Sequence, residues 1–185
     1  KQNKAQFEPY ASLNVNNLMV NNIKLGEIKL DIEGNNDFNI FNVRSTLENE
    51  NVESFSLFGN LYFKDKMPTM NIDVKFDKFN IGAFSTMGGD VVSNIRGLVN
   101  GNTNFSGAID NPEMNGRLFL NQAGLRIPYL NVDLEMEPNS IVDLTERQFL
   151  MRNISITDTK YKTKGILSGN VKHSKLSNWI LDIGV

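Results

Sequence analysis

Cysteine is absent from the 185 residues, and histidine occurs once, at position 173. The absence of cysteine excludes disulfides, thiolate metal sites and a cysteine nucleophile. A single histidine excludes any site that is built from several histidines. Redox chemistry and clustered imidazole ligands are therefore ruled out.

An excess of charge of one sign is also missing. The 19 Lys and Arg residues nearly balance the 21 Asp and Glu residues, and the two signs alternate along the chain without forming a basic stripe. Because nucleic-acid binding relies on such a stripe, no nucleic-acid partner is expected.

Long apolar runs are lacking too. No stretch approaches the roughly 18 apolar residues of a membrane-spanning helix, and no basic-then-apolar signal segment opens the chain. The chain begins at Lys1 and stops within the strand-like residues 179–185. These features predict a soluble fragment excised from a longer protein, whose targeting information lies elsewhere.

Alternation of apolar and polar residues is the pattern that the sequence does contain. A period of two indicates strands with one apolar face and one solvated face. The apolar members are Ile28, Leu30 and Ile32; Met70, Ile72, Val74 and Phe76; Leu118 and Leu120; Leu130, Val132, Leu134 and Met136; and Trp179, Leu181 and Ile183.

Turn-forming residues separate these runs at hairpin spacing. They cluster at residues 34–37, 64–68, 110–113, 115–116, 137–140 and 172–175. Such clusters predict an antiparallel meander of short strands, and hence an all-β fold. At most one short helix is expected, near residues 81–88, with Asn80 as its N-cap and Gly88 and Gly89 as its stop.

A loose internal repeat runs through the same region. Residues 57–76, 105–120 and 167–183 each contain a strand with a glycine, a turn and a returning alternating strand. Their spacing is irregular, which indicates hairpins of varying length placed side by side. The chain is therefore interpreted as one continuous, elongated unit over residues 1–185.

The ionisable residues show no catalytic arrangement. His173 lies in the polar stretch 172–177 and is predicted to be a solvated turn residue, because a triad or metal role needs partners. Asp158 has no second carboxylate at a spacing that suggests general acid–base catalysis. It is predicted to stabilise a turn, and the chain is predicted not to be an enzyme.

Two further patterns resemble ligand sites only superficially. The oxygen-bearing residues of the stretch 31–37 alternate as in a calcium loop, but Gly34 is misplaced for an EF-hand and no bidentate Glu follows. A polar strand end that runs into a turn is predicted there. The glycines Gly97, Gly101, Gly107 and Gly116 are too scattered for a phosphate loop and are predicted to form bulges and turns. No metal or cofactor is expected.

The apolar face of the predicted sheet has two possible fates. A one-sided sheet most often buries that face against a second layer, as in a sandwich or barrel. This chain offers almost no helix as a cover, so a groove filled by a ligand is the alternative. Burying about ten methylenes of an acyl chain is worth about 8 kcal/mol, so a lipid can take the place of a missing core.

Short glycine-centred motifs in a fixed order carry a family resemblance. They lie at residues 55–80, 89–97, 101, 105–107, 111–112, 115–118, 123–130, 158–159 and 167–169. In this order they resemble the repeats of TamB-type, AsmA-like envelope proteins of the Bacteroidetes kind. The resemblance covers residues 50–185, and residues 1–50 match it poorly.

That resemblance implies a β-taco, a long sheet curled into a U with an apolar concave groove. It places the full-length protein in the periplasm, anchored in the inner membrane by a segment outside this chain. The implied function is passage of phospholipid acyl chains between the membranes. The groove-lining residues expected from strand parity are Met70, Ile72, Val74, Phe76, Phe105, Leu118, Leu120, Leu130, Val132, Leu134, Met136, Trp179, Leu181 and Ile183.

Three alternatives remain open from the sequence. The first is a scaffold that assembles outer-membrane β-barrel proteins alongside a barrel partner, by offering strand edges to unfolded strands. The second, a secreted adhesion or glycan-binding domain, is disfavoured because it would need a surface platform of aromatic residues, whereas the chain has one Trp and four Tyr, and Trp179 falls on an apolar face. The third concerns the last strand, whose open edge allows the fragment to dimerise.

Overall fold

A computed structural model of the chain describes residues 7–64, 66–88, 92–175 and 177–184. Within them the protein is all-β, with a single twelve-stranded antiparallel sheet, as predicted. The strands are β1 (Tyr10–Val20), β2 (Ile23–Gly34), β3 (Ile40–Asn49), β4 (Val52–Tyr62), β5 (Thr69–Asn80), β6 (Ser93–Ala108), β7 (Glu113–Ile127), β8 (Val132–Met136), β9 (Ser140–Glu146), β10 (Gln148–Asp158), β11 (Lys164–Ser174) and β12 (Ser177–Gly184). Two 3-10 segments are described, η1 (Ile81–Gly88) and η2 (Pro128–Leu130).

Apart from β8 and β9, consecutive strands are neighbours in the sheet, which confirms the predicted meander. The three repeated segments are the hairpins β4–β5, β6–β7 and β11–β12. Strands β1 to β3 belong to the same sheet, although residues 1–50 match the repeat pattern poorly. The meander therefore extends through both parts of the chain.

Strands β8 and β9 together occupy one position in the sheet. Both pair antiparallel with β7 on one side and with β10 on the other, so they run in the same direction. The turn predicted at 137–140 is therefore wrong as a reversal of the chain. It is a break within one strand position, where Pro138 has no N–H to donate to the ladder.

Of the remaining turn predictions, some coincide with connections between strands and others fall within strands. The clusters at 34–37, 64–68 and 110–113 fall in strand connections, apart from Asp65, which lies outside the described residues. The cluster at 172–175 falls mostly within β11, which runs to Ser174. The turn at 115–116 is wrong, because both residues lie inside β7.

Close approach of neighbouring strands explains the glycine inside β7. A Cβ on Gly116 would lie 2.3 Å from the carbonyl oxygen of Asn102 on β6. Gly101 on β6 has a similar role: its φ is +135° and a Cβ there would lie 2.2 Å from the carbonyl oxygen of Arg117. These two glycines permit contact between strands and do not form turns.

The expected short helix is present as η1. The Asn80 side chain caps it, accepting a hydrogen bond of 2.9 Å from the Gly82 N–H, as predicted. The expected stop at Gly89 lies outside the described residues. At the far side, Asn21 in the β1–β2 turn donates to the Ala83 carbonyl at 2.6 Å and to Thr86 Oγ1 at 3.0 Å.

Two clusters of buried side chains form the core. One contains Leu25, Leu47, Phe79, Ala83 and Val99, and so joins η1 to strands β2, β3, β5 and β6. The other consists of Met114, Val142, Leu144, Ile154, Ile156 and Leu167, on β7 and on strands β9 to β11. Partly buried Leu118 and Leu120 on β7 pack against both clusters, so the two are continuous.

Candidate functional site: the apolar face of the sheet

One face of the sheet carries apolar side chains in rows that cross every strand position. We call it the apolar face. Its central row, traced through the strand register, is Leu13, Leu30, Ser45, Leu57, Val74, Thr103, Gly116, Leu144, Phe149, Val171 and Leu181. At a strand spacing of about 4.8 Å, the ten steps of this row extend for about 48 Å along the sheet.

A second row runs beside it. It consists of Val15, Ile28, Leu47, Phe55, Phe76, Gly101, Leu118, Val142, Met151, Gly169 and Ile183. Because both rows are almost entirely apolar from β1 to β12, the apolar face is unbroken along the sheet.

Exposure changes along the central row. In the middle of the sheet Val74 and Leu144 are buried, at 5% and 3% exposure. At the two edges Leu13 and Leu181 are exposed, at 54% and 51%. Side chains of the protein itself therefore fill the apolar face at its centre, whereas its ends remain accessible.

The predicted lining residues can be placed on this face with one correction. By register and strand parity, Met70, Ile72, Val74, Phe76, Phe105, Leu118, Leu120, Val132, Leu134, Met136, Trp179, Leu181 and Ile183 share it. Leu130 does not: it ends η2 and is 60% exposed. Pro128 at the start of η2 interrupts the alternation on which the prediction depended.

Several members of the two rows are not among the predicted lining residues. Leu57, Val142 and Leu144 are examples, and each stands directly opposite a predicted residue or a glycine on the neighbouring strand. Their alternation is visible in the sequence, but the strand register that aligns them is not. The signal that identifies them in the sequence is that every apolar residue of the same parity within one strand lies on the same face.

The segment η1 covers the apolar face at one end of the strands. Strands β2 and β5 are three positions apart, which is about 14 Å in a flat sheet. The eight residues of η1 extend about 16 Å at the rise of a 3-10 helix. Ala83 of η1 is buried in one cluster with Leu25 and Val99, so η1 covers that end of the apolar face.

The opposite face is polar and carries ion pairs between strands. Arg117 and Arg152 bind the two carboxylate oxygens of Asp143, at 2.6 and 2.8 Å. The hydrogen bond from Arg117, followed by the charges of both arginines, lowers the pKa of Asp143 although partial burial opposes the shift. We call this the polar face.

The prediction for His173 is wrong. It lies within β11 with only 5% exposure, on the same side as Val171. Its ring packs 5.3 Å from the Trp179 ring and 6.4 Å from the Phe149 ring. Burial, aided by the charge of Arg147, lowers the pKa of His173. The polar neighbours of His173 in sequence face the other side of the strand, which concealed its inward position.

The prediction for Asp158 is confirmed. Its Oδ1 accepts hydrogen bonds from the N–H groups of Lys160 and Tyr161, at 2.9 and 2.6 Å, and its Oδ2 accepts one from Asp133 N–H at 3.2 Å. The hydrogen bond from the Tyr161 N–H contributes most to lowering the pKa of Asp158, and those from the Asp133 and Lys160 N–H groups lower it further. The carboxylate organises the β10–β11 turn.

The stretch 31–37 is a strand end and turn, as predicted. Strand β2 ends at Gly34, and Asn35 Oδ1 accepts from the N–H groups of Asn39 and Ile40 at 3.0 and 3.1 Å. Over the part of the chain that the structure describes, no group of three or more His, Cys, Asp or Glu side chains is placed to hold a metal ion.

No helix among the described residues combines the length and hydropathy of a membrane span.

Comparison with known proteins found no relative: no protein-family model, no curated protein and no solved structure matches the chain.

Proposed function

We propose that this chain is a non-enzymatic segment of an envelope-spanning protein that shields phospholipid acyl chains on its apolar face. In this proposal the sheet curls into a U-shaped groove, and the groove carries lipid between the inner and outer membranes. The resemblance of residues 50–185 to TamB-type repeats supports both the periplasmic location and the class of ligand.

The observation that carries the proposal is the continuity of the apolar rows from β1 to β12, ending in exposed side chains. At β12, Trp179, Leu181 and Ile183 face the apolar side with 43%, 51% and 40% exposure. A contiguous apolar surface that ends in water is the usual mark of a binding site.

The exposure of the apolar face also suggests where a lipid would enter. The middle of the apolar face is already packed, and both ends are accessible. In this proposal an acyl chain first contacts the end at β12, where Trp179, Leu181 and Ile183 are all exposed. Each methylene buried there contributes about 0.8 kcal/mol. Extension of the ligand toward the centre requires the packed side chains of the face to separate.

Adjacent residues of β12 provide a matched test of this proposal. Leu181 faces the apolar side, and Ile180, 64% exposed, faces the polar side of the same edge strand. The protein is purified from bacteria without detergent, and native mass spectrometry with organic extraction measures bound phospholipid. We expect Leu181→Asp to lower lipid occupancy about tenfold, since a carboxylate against an acyl chain is poorly solvated, and Ile180→Asp to leave it unchanged.

Circular dichroism spectra of both variants must match that of the parent protein for this comparison. A folded parent protein without lipid, or equal occupancy in both variants, would overturn the proposal. A folded parent protein without lipid would assign the apolar face to an ordinary packed core, and equal occupancy would place the bound lipid away from Leu181.

A second candidate function is a scaffold for outer-membrane β-barrel strands. It is favoured by the edge of β12, which pairs with β11 on one side and with no other strand among those described. An extended peptide can add to such an edge through main-chain hydrogen bonds. A photo-crosslinker at Ile180 that captures an unfolded barrel strand, in protein free of lipid, would select this function over lipid transport.

A further inference from the structure

A depression on the polar face lies across strands β4, β5 and β6 and reaches β7. Its volume is about 500 Å³, and its lining includes Phe58, Asp73, Lys75, Asn104 and Asn115. The depression is shallow and largely open to solvent, so a ligand there would lie along the sheet surface. The depression is on the side of the sheet opposite to the apolar face, so it is independent of the proposed lipid groove.

An exposed aromatic ring marks this depression. Phe58 is 54% exposed, and its cross-strand neighbours are Arg44 and Asp73, which are both charged. The Arg44 guanidinium lies 5.9 Å from the centre of the ring. Phe58 therefore has charged neighbours where packing would place apolar ones. Arg44 lies over the ring, and about half of the residue remains exposed to solvent.

Polar groups beside the ring are held in place by hydrogen bonds. The Asn104 amide nitrogen donates to Asn71 Oδ1 and to Asp73 Oδ1, both at 2.8 Å. Because both donors are used, the Asn104 carbonyl oxygen points away from these side chains. Donors and acceptors are thus fixed at the rim of an aromatic surface.

The charges around the depression are mixed. Asp73 carries a negative charge, and Arg44 and Lys75 carry positive charges. An anion would be attracted by Arg44 and Lys75 but repelled by the Asp73 carboxylate in the lining. An apolar ligand would remove these polar groups from water without replacing their hydrogen bonds. A neutral ligand rich in hydroxyl groups fits best.

We infer that this depression binds a neutral carbohydrate chain. A pyranose ring places its C–H groups over the part of the Phe58 ring that Arg44 leaves exposed, since the face of the ring carries the negative part of the quadrupole. Its hydroxyl groups bind Asp73 and Asn104, which offer acceptors, and Asn115 and Lys75, which offer donors.

The test uses three neutral probes, maltotriose, cellotriose and the trisaccharide of N-acetylglucosamine, with a sulfated heparin trisaccharide as the anionic comparison. Each is titrated into the ¹⁵N-labelled protein at millimolar concentrations and followed by NMR. We expect at least one neutral probe to shift the amide signals of β4, β5 and β6 in a saturable way.

Two variants make the test specific. Phe58→Ala is expected to weaken that binding about tenfold through loss of stacking. Phe119→Ala is the matched control, because Phe119 is also exposed, at 37%, on the polar face but lies on β7 outside the lining. It is expected to leave binding unchanged.

Absence of saturable shifts with all three neutral probes would overturn the inference, as would binding of the sulfated probe alone. Equal weakening by Phe58→Ala and Phe119→Ala would also overturn it. Because the readout is on the polar face, loss of this inference leaves the lipid proposal unaffected.

Discussion

At the scale of single residues, three buried hydroxyl groups of the sheet form hydrogen bonds to backbone carbonyls. The hydroxyl groups of Ser45, Thr103 and Ser140 donate to the carbonyls of Lys29, Asn115 and Glu137 at 2.8, 3.3 and 2.6 Å. A buried hydroxyl whose hydrogen bond is satisfied nearby costs little. The apolar face therefore tolerates these residues without becoming polar.

Asp158 is the buried carboxylate on which a turn depends. We expect Asp158→Ala to lower the melting temperature by several degrees, because three main-chain N–H groups lose their acceptor. Calorimetry or circular dichroism at pH 7 measures the change. The exposed Asp110, at 68% side-chain exposure, is the control, and a similar loss in Asp110→Ala would contradict this account of Asp158.

The pH dependence of this contribution has a definite sign. The pKa of Asp158 is lowered in the folded protein, so its contribution is present above the unfolded pKa of about 3.9. It is lost as the pH falls through the folded pKa. Below that range the difference between the parent and Asp158→Ala should shrink.

A second pH dependence of stability is expected from His173, at higher pH than that of Asp158. Its pKa is lowered by burial, so the unfolded chain binds a proton more readily near the unfolded pKa of about 6.5. The free energy of unfolding should therefore decrease as the pH falls from 7.5 to 5.5, by at most about 1.4 kcal/mol per pH unit. Urea denaturation at both pH values measures it.

The chain contains one histidine, which makes the comparison simple. In His173→Gln the decrease between pH 7.5 and 5.5 should be largely absent, because no other side chain has an ordinary pKa in that range. A decrease of the same size in this variant would show that other groups cause it.

At the scale of elements, β9 shows how strand parity divides core from surface. Leu144 is 3% exposed in the second core cluster, and Ile141, on the same strand, faces the polar side with 39% exposure. We expect Leu144→Ala to cost about 2–5 kcal/mol of unfolding free energy. Ile141→Ala should cost about 0.5–1 kcal/mol, since little apolar area is lost.

Urea denaturation of both variants measures this pair. Equal losses in the two would show that the assigned faces of β9, and with them the register to β7 and β10, are wrong. Because one shift in register exchanges the two faces, the test is sensitive to the whole strand.

The capped segment η1 is expected to contribute less to the free energy of unfolding than the buried Leu144. We expect Asn80→Ala to cost about 0.5–2 kcal/mol, because the Gly82 N–H loses its acceptor. Asn80→Asp keeps an acceptor at the same place and should retain most of the stability. If Asp fails to do so in urea denaturation, the role of Asn80 is not that of a cap.

At the scale of the whole molecule, we expect protection of backbone amides from hydrogen exchange to follow the gradient of burial along the sheet. Strand β12 is exposed at every described position, whereas β6 and β7 share the longest ladder and contact both core clusters. Hydrogen exchange measured by mass spectrometry should be fastest in β12 and slowest in β6 and β7. Uniform exchange would indicate unfolding as one unit.

The features of the fold that could be predicted from the sequence are those that depend on local interactions along the chain. Alternation of apolar and polar residues depends only on the period of a strand, so the all-β class and the hairpins followed from the sequence, as did the apolar side of the strands on which residues such as Val74 and Leu181 lie. The cap Asn80 and the turn residue Asp158 also followed, because both make local hydrogen bonds.

Tertiary structure decided what depends on neighbouring strands. Only strand register places Gly116 against Asn102, buries His173 beneath Trp179, and aligns β8 with β9 in one position. The packed centre and the open ends of the apolar face also depend on which strands lie next to each other. Packing between residues distant in sequence sets them, and a local pattern contains no information about which distant strand will lie opposite.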